Sequence, residues 1–184
     1  ILPITYMNST AEIKALCGRH GGIVCTSSNA AAVFDWALQR AERILFLPDQ
    51  HLGRNTGLKM GIDLNNMIVW NPFKALGGHT SEEIRSAKVI LWQGHCSVHK
   101  LFRPEHVDQV RALWPDVTVI VHPECCYEVC QKADRLAYIS LRFRRLMRAP
   151  TQARALLLTT LMLLMTQAGS LYGFNDSMND QNPV

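Results

Sequence analysis

The sequence lacks the features that mark membrane-spanning and disordered chains. Only 18% of the 184 residues are charged, and glycine and proline contribute 11 and 8 residues, which argues against a disordered or low-complexity chain. The longest apolar run, Ala155–Met165, is too short to cross a bilayer, so we expect no membrane association. No basic segment followed by a small-residue cleavage site opens the chain, so we expect no signal peptide and a cytoplasmic location.

An excess of positive charge is missing from most of the chain. Residues 1–134 contain 13 basic and 13 acidic residues, so the formal net charge of +4 comes entirely from residues 135–184. A neutral body lacks the basic face that binding to a phosphate backbone requires, and we therefore expect no nucleic-acid partner. The last fifty residues also lack lysine, glutamate, histidine, cysteine and tryptophan, which places a boundary in composition near residue 135.

Short apolar runs alternate with helix-forming segments through the first 134 residues. The runs predict strands at Pro3–Met7, Gly22–Thr26, Ile44–Leu47, Met67–Trp70, Val89–Trp92 and Val117–Val121. The segments between and after them predict helices at Ala11–Cys17, Ala30–Ala41, Leu52–Met60, Ser81–Lys88, Pro104–Leu113 and Cys125–Ala133. Strands and helices that alternate with short connections indicate βαβ units, and so a parallel sheet with helices on both faces in a three-layer α/β fold.

Polar side chains follow the predicted strands at their carboxyl ends. In open α/β sheets, ligands bind outside this edge. The residues predicted there are Tyr6, Asn8, Thr26, Ser27, Asp49, Trp70, Asn71, His95, Cys96, His122 and Glu124. Most of them are able to bind a ligand or to take part in catalysis, so we expect the functional site at this edge.

Three groups at that edge each have a functional and a structural interpretation. Tyr6 and Asn8 are two apart on an extended segment and should face the same side, where both can hydrogen-bond one substrate; the alternative is a strand-end tyrosine followed by a turn. Ser27 precedes a helix whose free N–H groups can hold an anion, or it is an ordinary cap. His122 and Glu124 are either a proton-transfer pair or a solvated turn.

The histidines and cysteines leave a metal site open. His95, Cys96 and His99, with the later His122, Cys125, Cys126 and Cys130, offer ligands for zinc, although no C-x-x-C pair is present. The last three cysteines fit better as buried small hydrophobes than as metal ligands. Cys96 differs from them because it follows Gly94-His95 at a strand end, where the backbone can approach a cofactor.

Five segments of the sequence resemble the quinolinate synthase family. They read Y-M-N-S-T-A-E-I-K-A, C-T-S-S-N-A, F-L-P-D-Q-H-L-G-R, W-Q-G-H-C-S-V-H and V-H-P-E-C, and their order and spacing agree with the family from about Ile4 to Asp134. The resemblance implies three pseudo-symmetric α/β domains around a central site. It also implies a [4Fe-4S] cluster held by three cysteines, one from each domain, with one iron left open as a Lewis acid.

The resemblance further implies an activity and a role for individual residues. The family condenses iminoaspartate with dihydroxyacetone phosphate to form quinolinate for NAD biosynthesis, with a functional link to L-aspartate oxidase. Cys96 falls on a cluster ligand of the family. Tyr6, Asn8 and Ser27 fall on residues that hold or polarise the substrate, and His122 and Glu124 fall on the substrate-binding and proton-transfer pair. Tyr6, His122 and Glu124 are therefore the expected catalytic residues.

The resemblance also divides the chain. We expect a complete α/β repeat over residues 1–95, which resembles the family's middle domain, and part of a second repeat over residues 96–134. Residues 135–184 are expected to be an aberrant Arg/Leu-rich tail produced by out-of-frame or otherwise aberrant translation. The alternatives are a lineage-specific insertion and a basic amphipathic helix that lies on a membrane. Because the chain begins at Ile1 and supplies only Cys96 of the three implied ligands, we interpret it as an inactive fragment. The alternative function is a non-catalytic zinc-binding module.

Overall fold

The computed structural model describes residues 1–136, which belong to two units. The first unit contains residues 1–96 and 123–127, and the second contains residues 97–122 and 128–136 of the described part. The predicted division at residues 95 and 134 stays a prediction. The predicted tail, apart from its first two residues, lies outside the described residues.

A five-stranded parallel sheet forms the centre of the first unit. Its strands are β1 (Leu2–Tyr6), β2 (Ile23–Cys25), β3 (Ile44–Leu47), β4 (Met67–Trp70) and β5 (Val89–Trp92). They lie in the order β2-β1-β3-β5-β4, and every neighbouring pair is parallel. The last three strands have the predicted bounds, and the predicted parallel α/β class is confirmed.

Helices cover both faces of this sheet. They are α1 (Ala11–Arg19), α2 (Ala30–Leu38), α3 (Gln50–Lys59) and α4 (Ser81–Ser86), with short 3-10 helices at Leu64–Asn66 and Ala75–Gly78. Phe34 of α2 and Leu52 of α3 pack against Phe46 and Leu91 on one face. Ile84 of α4 packs against strand residues that point to the other face. The sheet is therefore the middle layer of three, which is why its strands are continuous apolar runs.

Polar side chains set where the helices begin. The Thr10 hydroxyl accepts the Ile13 N–H at the start of α1, and Thr80 and Glu83 form a capping box at the start of α4. The predicted start of α3 at Leu52 is two residues late. The helix begins at Gln50 because the Asp49 carboxylate accepts the Leu52 N–H at 2.8 Å and caps the first turn.

The second unit contains a short parallel pair of strands. Its elements are α5 (Ser97–Lys100), α6 (Pro104–Leu113), β6 (Ile120–Val121), β7 (Arg135–Leu136) and most of α7 (Tyr127–Lys132). The Asp134 carboxylate accepts the Val119 N–H at 2.7 Å and one Arg111 N–H at 2.8 Å, which ties α6 to the start of β6 and lowers the pKa of that carboxyl. No helix within residues 1–136 has the length and apolar character needed to cross a membrane.

Candidate functional site

The strand order places a topological switch point at the carboxyl end of β1. The chain passes from β1 to β2 on one side and then crosses to β3 on the other side of β1. Ligands in open α/β sheets bind where the order reverses in this way, outside the carboxyl ends of the strands. Tyr6 is the last residue of β1, and Asp49 follows β3 by two residues. The first unit therefore has its candidate site between these two strand ends.

The Tyr6 side chain is buried and is hydrogen-bonded to Ser27. Only 6% of Tyr6 is exposed, although it ends a strand. Burial raises the pKa of the Tyr6 phenol above its usual value, the negative charge of Glu124 raises it further, and the hydrogen bond with Ser27 opposes this. Tyr6 is therefore a protonated hydroxyl at neutral pH, able to donate a hydrogen bond to a ligand.

Ser27 and Asn8, the other two predicted substrate-binding residues, lie in different surroundings. Ser27 is half-buried beside Tyr6, and the turn around it is closed by Asn29, whose side-chain oxygen accepts the Thr26 N–H at 2.7 Å. Asn8 is exposed in a bend, because β1 ends at Tyr6. Strand alternation therefore does not determine which way Asn8 points, and its role stays a prediction.

Cys96 lies in the loop after β5 and is fixed by its backbone. Its N–H donates to the second Asp49 carboxylate oxygen at 2.9 Å, and the Gln50 N–H donates to the Gly94 carbonyl at 2.9 Å. Glycine is required at residue 94 because a Cβ there would collide with the Pro48 carbonyl oxygen. These contacts place the half-buried Cys96 at the same sheet edge as Tyr6 and Asp49.

Glu124 is a buried carboxylate that belongs to the first unit. It is 5% exposed, so the solvated-turn interpretation of this residue is wrong. One of its carboxylate oxygens lies within 4.8 Å of the Cys96 sulfur. The backbone on either side of Glu124 is fixed by Asn55 of α3, which donates to the Pro123 and Cys125 carbonyls at 2.8 and 2.9 Å.

A second buried carboxyl group, Asp49, lies beside these residues; the strand-end rule places it at this edge but assigns it no role in the site. Burial raises its pKa to about 7, and the charge of Glu124 contributes, while the N–H groups of Leu52 and Cys96 oppose the shift. Two carboxyl groups and a phenol thus share one low-polarity region. The sequence did contain a signal, because an aspartate directly before a helical segment is a preferred cap.

His122 lies in the second unit, directly after β6. It is 4% exposed, and its ring stacks on that of His99 with centroids 4.8 Å apart, so the solvated-turn interpretation is also wrong for this residue. The Cys130 thiol is 3.8 Å from the His122 carbonyl oxygen, to which it donates. Cys130 thus has a structural role in the second unit. The pairing of His122 with Glu124 in proton transfer stays a prediction.

The thiols of the first unit differ in their fitness to bind iron. Cys17 and Cys25 are buried in the body of the unit, and burial raises the pKa of both, that of Cys25 to about 12. Iron–sulfur clusters are ligated by thiolates, so these two are unsuited to the role. Cys96 is half-buried in a loop at the sheet edge, which fits one ligand of such a cluster. Glu124, whose carboxylate oxygen lies within 4.8 Å of the Cys96 sulfur, is a further group able to ligate a metal.

This fold and this edge define a parallel α/β protein with a candidate ligand site at a topological switch point. Comparison with known proteins then identifies the family. The family model described as quinolinate synthetase A protein matches residues 2–168. The chain belongs to the quinolinate synthase family.

Individual relatives agree with this assignment. The chain is 64% identical to a quinolinate synthase of Acidobacterium capsulatum over 136 residues, which is 74% of this chain and 36% of that protein. Corresponding values are 58% over 135 residues for Rhodopirellula baltica and 46% over 165 residues for Streptomyces coelicolor, with 73% and 89% of this chain covered. The chain spans between 34% and 42% of the lengths of these three relatives.

Proposed function

We propose that this chain is part of a quinolinate synthase that condenses iminoaspartate with dihydroxyacetone phosphate in NAD biosynthesis. Membership of the family supports the proposal. The observation that carries it is the placement of the Cys96 sulfur within 4.8 Å of a Glu124 oxygen, at the edge where Tyr6 and Ser27 are hydrogen-bonded. A functional link to L-aspartate oxidase belongs to the same proposal.

In this proposal the polar residues at the ends of β1 and β2 bind the substrates. Iminoaspartate is a dicarboxylate and dihydroxyacetone phosphate carries a phosphate, so both require hydrogen-bond donors. Tyr6 is a protonated phenol because burial raises its pKa, and Ser27 is an uncharged hydroxyl beside it. Such donors bind the substrate oxygens without adding a charge to the site. Asn8 adds a carboxamide from the exposed bend after β1.

Proton transfer is proposed for Glu124 and His122. Both residues are buried, so water does not compete with their transfer of a proton to or from the substrate. Glu124 is the group near Tyr6, since its charge raises the pKa of that phenol. An imidazole nitrogen is able both to accept and to return a proton, which is the reason for assigning His122 to this role.

Cys96 would hold the [4Fe-4S] cluster as one of its thiolate ligands. When bound, a cluster with an open iron supplies Lewis-acid chemistry that helps the loss of hydroxyl groups. The hydrogen bond from the Cys96 N–H to the Asp49 carboxylate holds the loop that carries this thiol in place without a metal. Glu124 lies near that sulfur and is therefore proposed to act on the part of the substrate nearest the metal.

Substitution of the proposed substrate-binding and proton-transfer residues tests the site. We define the hybrid enzyme as the Acidobacterium capsulatum relative with residues 1–134 of this chain in place of the segment that they match. Tyr6→Phe, Ser27→Ala and His122→Ala should each lower kcat/KM about 10²-fold or more in the hybrid enzyme, with its visible spectrum unchanged. Tyr127→Phe, at a half-buried tyrosine, serves as the control. Unchanged kcat/KM in all three variants would show that the site is placed wrongly.

The 184-residue chain by itself is expected to form no quinolinate. It supplies one of the three implied cluster ligands, and it spans 36% of the Acidobacterium capsulatum relative. The measurement is an anaerobic assay for quinolinate after treatment with iron and sulfide, with the full-length relative as the positive control. Turnover by the purified chain would contradict this expectation.

The alternative proposal is a non-catalytic zinc-binding module that uses His95, Cys96, His99 and the later cysteines, to which the Glu124 carboxylate adds a further candidate ligand. A thiolate and a carboxylate within 4.8 Å of each other are both suitable zinc ligands. The purified chain would then take up zinc stoichiometrically and remain colourless. Broad visible absorbance after treatment with iron and sulfide favours the iron–sulfur assignment instead.

A further inference from the structure

Helix α3 provides a buried polar side chain to each of the two loops that carry Cys96 and Glu124. Asp49 is the cap of the helix, and Asn55 lies within it. Both side chains are 4% exposed. Buried polar groups are nearly always hydrogen-bonded, and an unsatisfied one is costly. The partners of Asp49 and Asn55 therefore explain why these two residues are in the interior.

The two oxygens of Asp49 accept from different parts of the chain. One accepts the Leu52 N–H at 2.8 Å and so caps α3. The other accepts the Cys96 N–H at 2.9 Å, across 47 residues of sequence. A single carboxylate thereby joins the start of α3 to the backbone of the residue proposed to bind the cluster.

The Asn55 side chain donates hydrogen bonds through its nitrogen, whereas Asp49 accepts them. Its NH₂ group donates to the Pro123 carbonyl at 2.8 Å and to the Cys125 carbonyl at 2.9 Å. These two residues flank Glu124, so the backbone is fixed on both sides of that carboxylate. Asparagine is a poor helix former, and its presence inside α3 is explained by this bonding.

We propose that Asp49 and Asn55 are positioning residues, through which α3 sets the separation between the Cys96 thiol and the Glu124 carboxylate. The hydrogen bonds of Asp49 and Asn55 hold whatever the protein does. The part of the inference that concerns catalysis rests on the proposed function. The residue types are matched to their partners: the carboxylate accepts from backbone N–H groups, and the NH₂ group donates to two carbonyl groups. A longer or shorter side chain at either position would move one loop relative to the other.

The first test measures amide exchange in the 184-residue chain. In Asp49→Ser the hydroxyl still caps α3 but is too short to reach Cys96, so the Leu52 amide should stay protected while the Cys96 amide exchanges at least tenfold faster. Asp63→Ser is the matched control, because Asp63 caps the 3-10 helix Leu64–Asn66. Unchanged exchange at Cys96 would overturn the role of Asp49.

If Asp49→Ser does not fold, amide exchange in Asp49→Asn tests the same role of Asp49. Asparagine has one side-chain acceptor where aspartate has two, so either the Leu52 amide or the Cys96 amide must lose its partner. Retained protection of both amides would overturn the proposal.

The second test uses the cysteines of the chain as reporters of local opening. In Asn55→Ala the buried Cys125 thiol should be alkylated by iodoacetamide at least tenfold faster, as judged by mass spectrometry. Cys25, which is buried in the sheet, should keep its rate. Asn65→Ala, at an exposed asparagine of a 3-10 helix, is the control, and Asn55→Ser replaces Asn55→Ala if the latter does not fold.

Equal acceleration at Cys125 and Cys25 would mean that Asn55 supports only general stability, which would overturn its positioning role. The proposed function is tested separately from the positioning inference. If Cys96→Ser retains its iron and turnover in the hybrid enzyme, the functional proposal is wrong even where both exchange and alkylation results hold. If Cys96→Ser is inactive but Asp49→Ser and Asn55→Ala behave as the parent chain, the positioning inference alone is wrong.

Discussion

Cys96→Ser is expected to remove the iron–sulfur cluster from the hybrid enzyme and to abolish quinolinate formation. A serine hydroxyl is not deprotonated at neutral pH and is a poor ligand for iron in a cluster, whereas a thiolate is the usual ligand. The backbone of the loop should be unaffected, because Asp49 bonds to the N–H of residue 96 and not to its side chain. Iron and sulfide analysis, the visible spectrum and a quinolinate assay measure the outcome.

The control for this experiment is Cys126→Ser. Cys126 is half-buried like Cys96 and also belongs to the first unit, but it does not fall on a family ligand. Its substitution should lower stability slightly at most and leave iron content and turnover unchanged. Full iron content and normal turnover in Cys96→Ser would show that Cys96 is not a cluster ligand.

The sheet was predictable because each of its strands is a buried apolar run that ends at a distinct signal. Ile44–Leu47 is followed by Pro48-Asp49 and Met67–Trp70 by Asn71-Pro72, and both strands have the predicted bounds. The predicted start of α3 is two residues late, because the sequence pattern places Asp49 at the end of β3 and does not identify it as the cap of the next helix. Local sequence signals therefore predict the type of each element better than its boundaries, which can depend on the hydrogen bond of a single side chain.

The candidate site was predictable only in part. The rule for strand ends brought Tyr6, Ser27 and Cys96 to one edge, because it depends on topology and not on particular contacts. It did not reveal Asp49 and Asn55 as positioning residues, because their partners lie 47 and about 70 residues away in the sequence. Periodicity reports only on neighbours within one element, so such distant hydrogen bonds leave no local signal.

Backbone packing beside the site leads to a second large effect, at Gly94. This residue forms a parallel bridge with Asp49, and its carbonyl accepts the Gln50 N–H at 2.9 Å. A Cβ at residue 94 would collide with the Pro48 carbonyl oxygen. The obstacle is main chain, which cannot rotate away as a flexible side chain would. Any larger residue must therefore push the Cys96 loop away from the end of β3.

Gly94→Ala is accordingly expected to destabilise the 184-residue chain by about 1–3 kcal/mol and to lower iron retention in the hybrid enzyme, although every proposed ligand is still present. Gly18→Ala is the matched control, since Gly18 lies in α1, where an added Cβ would meet nothing within 4 Å, and the substitution should gain about 0.5–1 kcal/mol of helix stability. Urea denaturation measures both changes, and amide exchange at Cys96 reports whether the bond to Asp49 is lost. A Gly94→Ala chain with parental stability and a protected Cys96 amide would show that the close approach to Pro48 does not hold the loop.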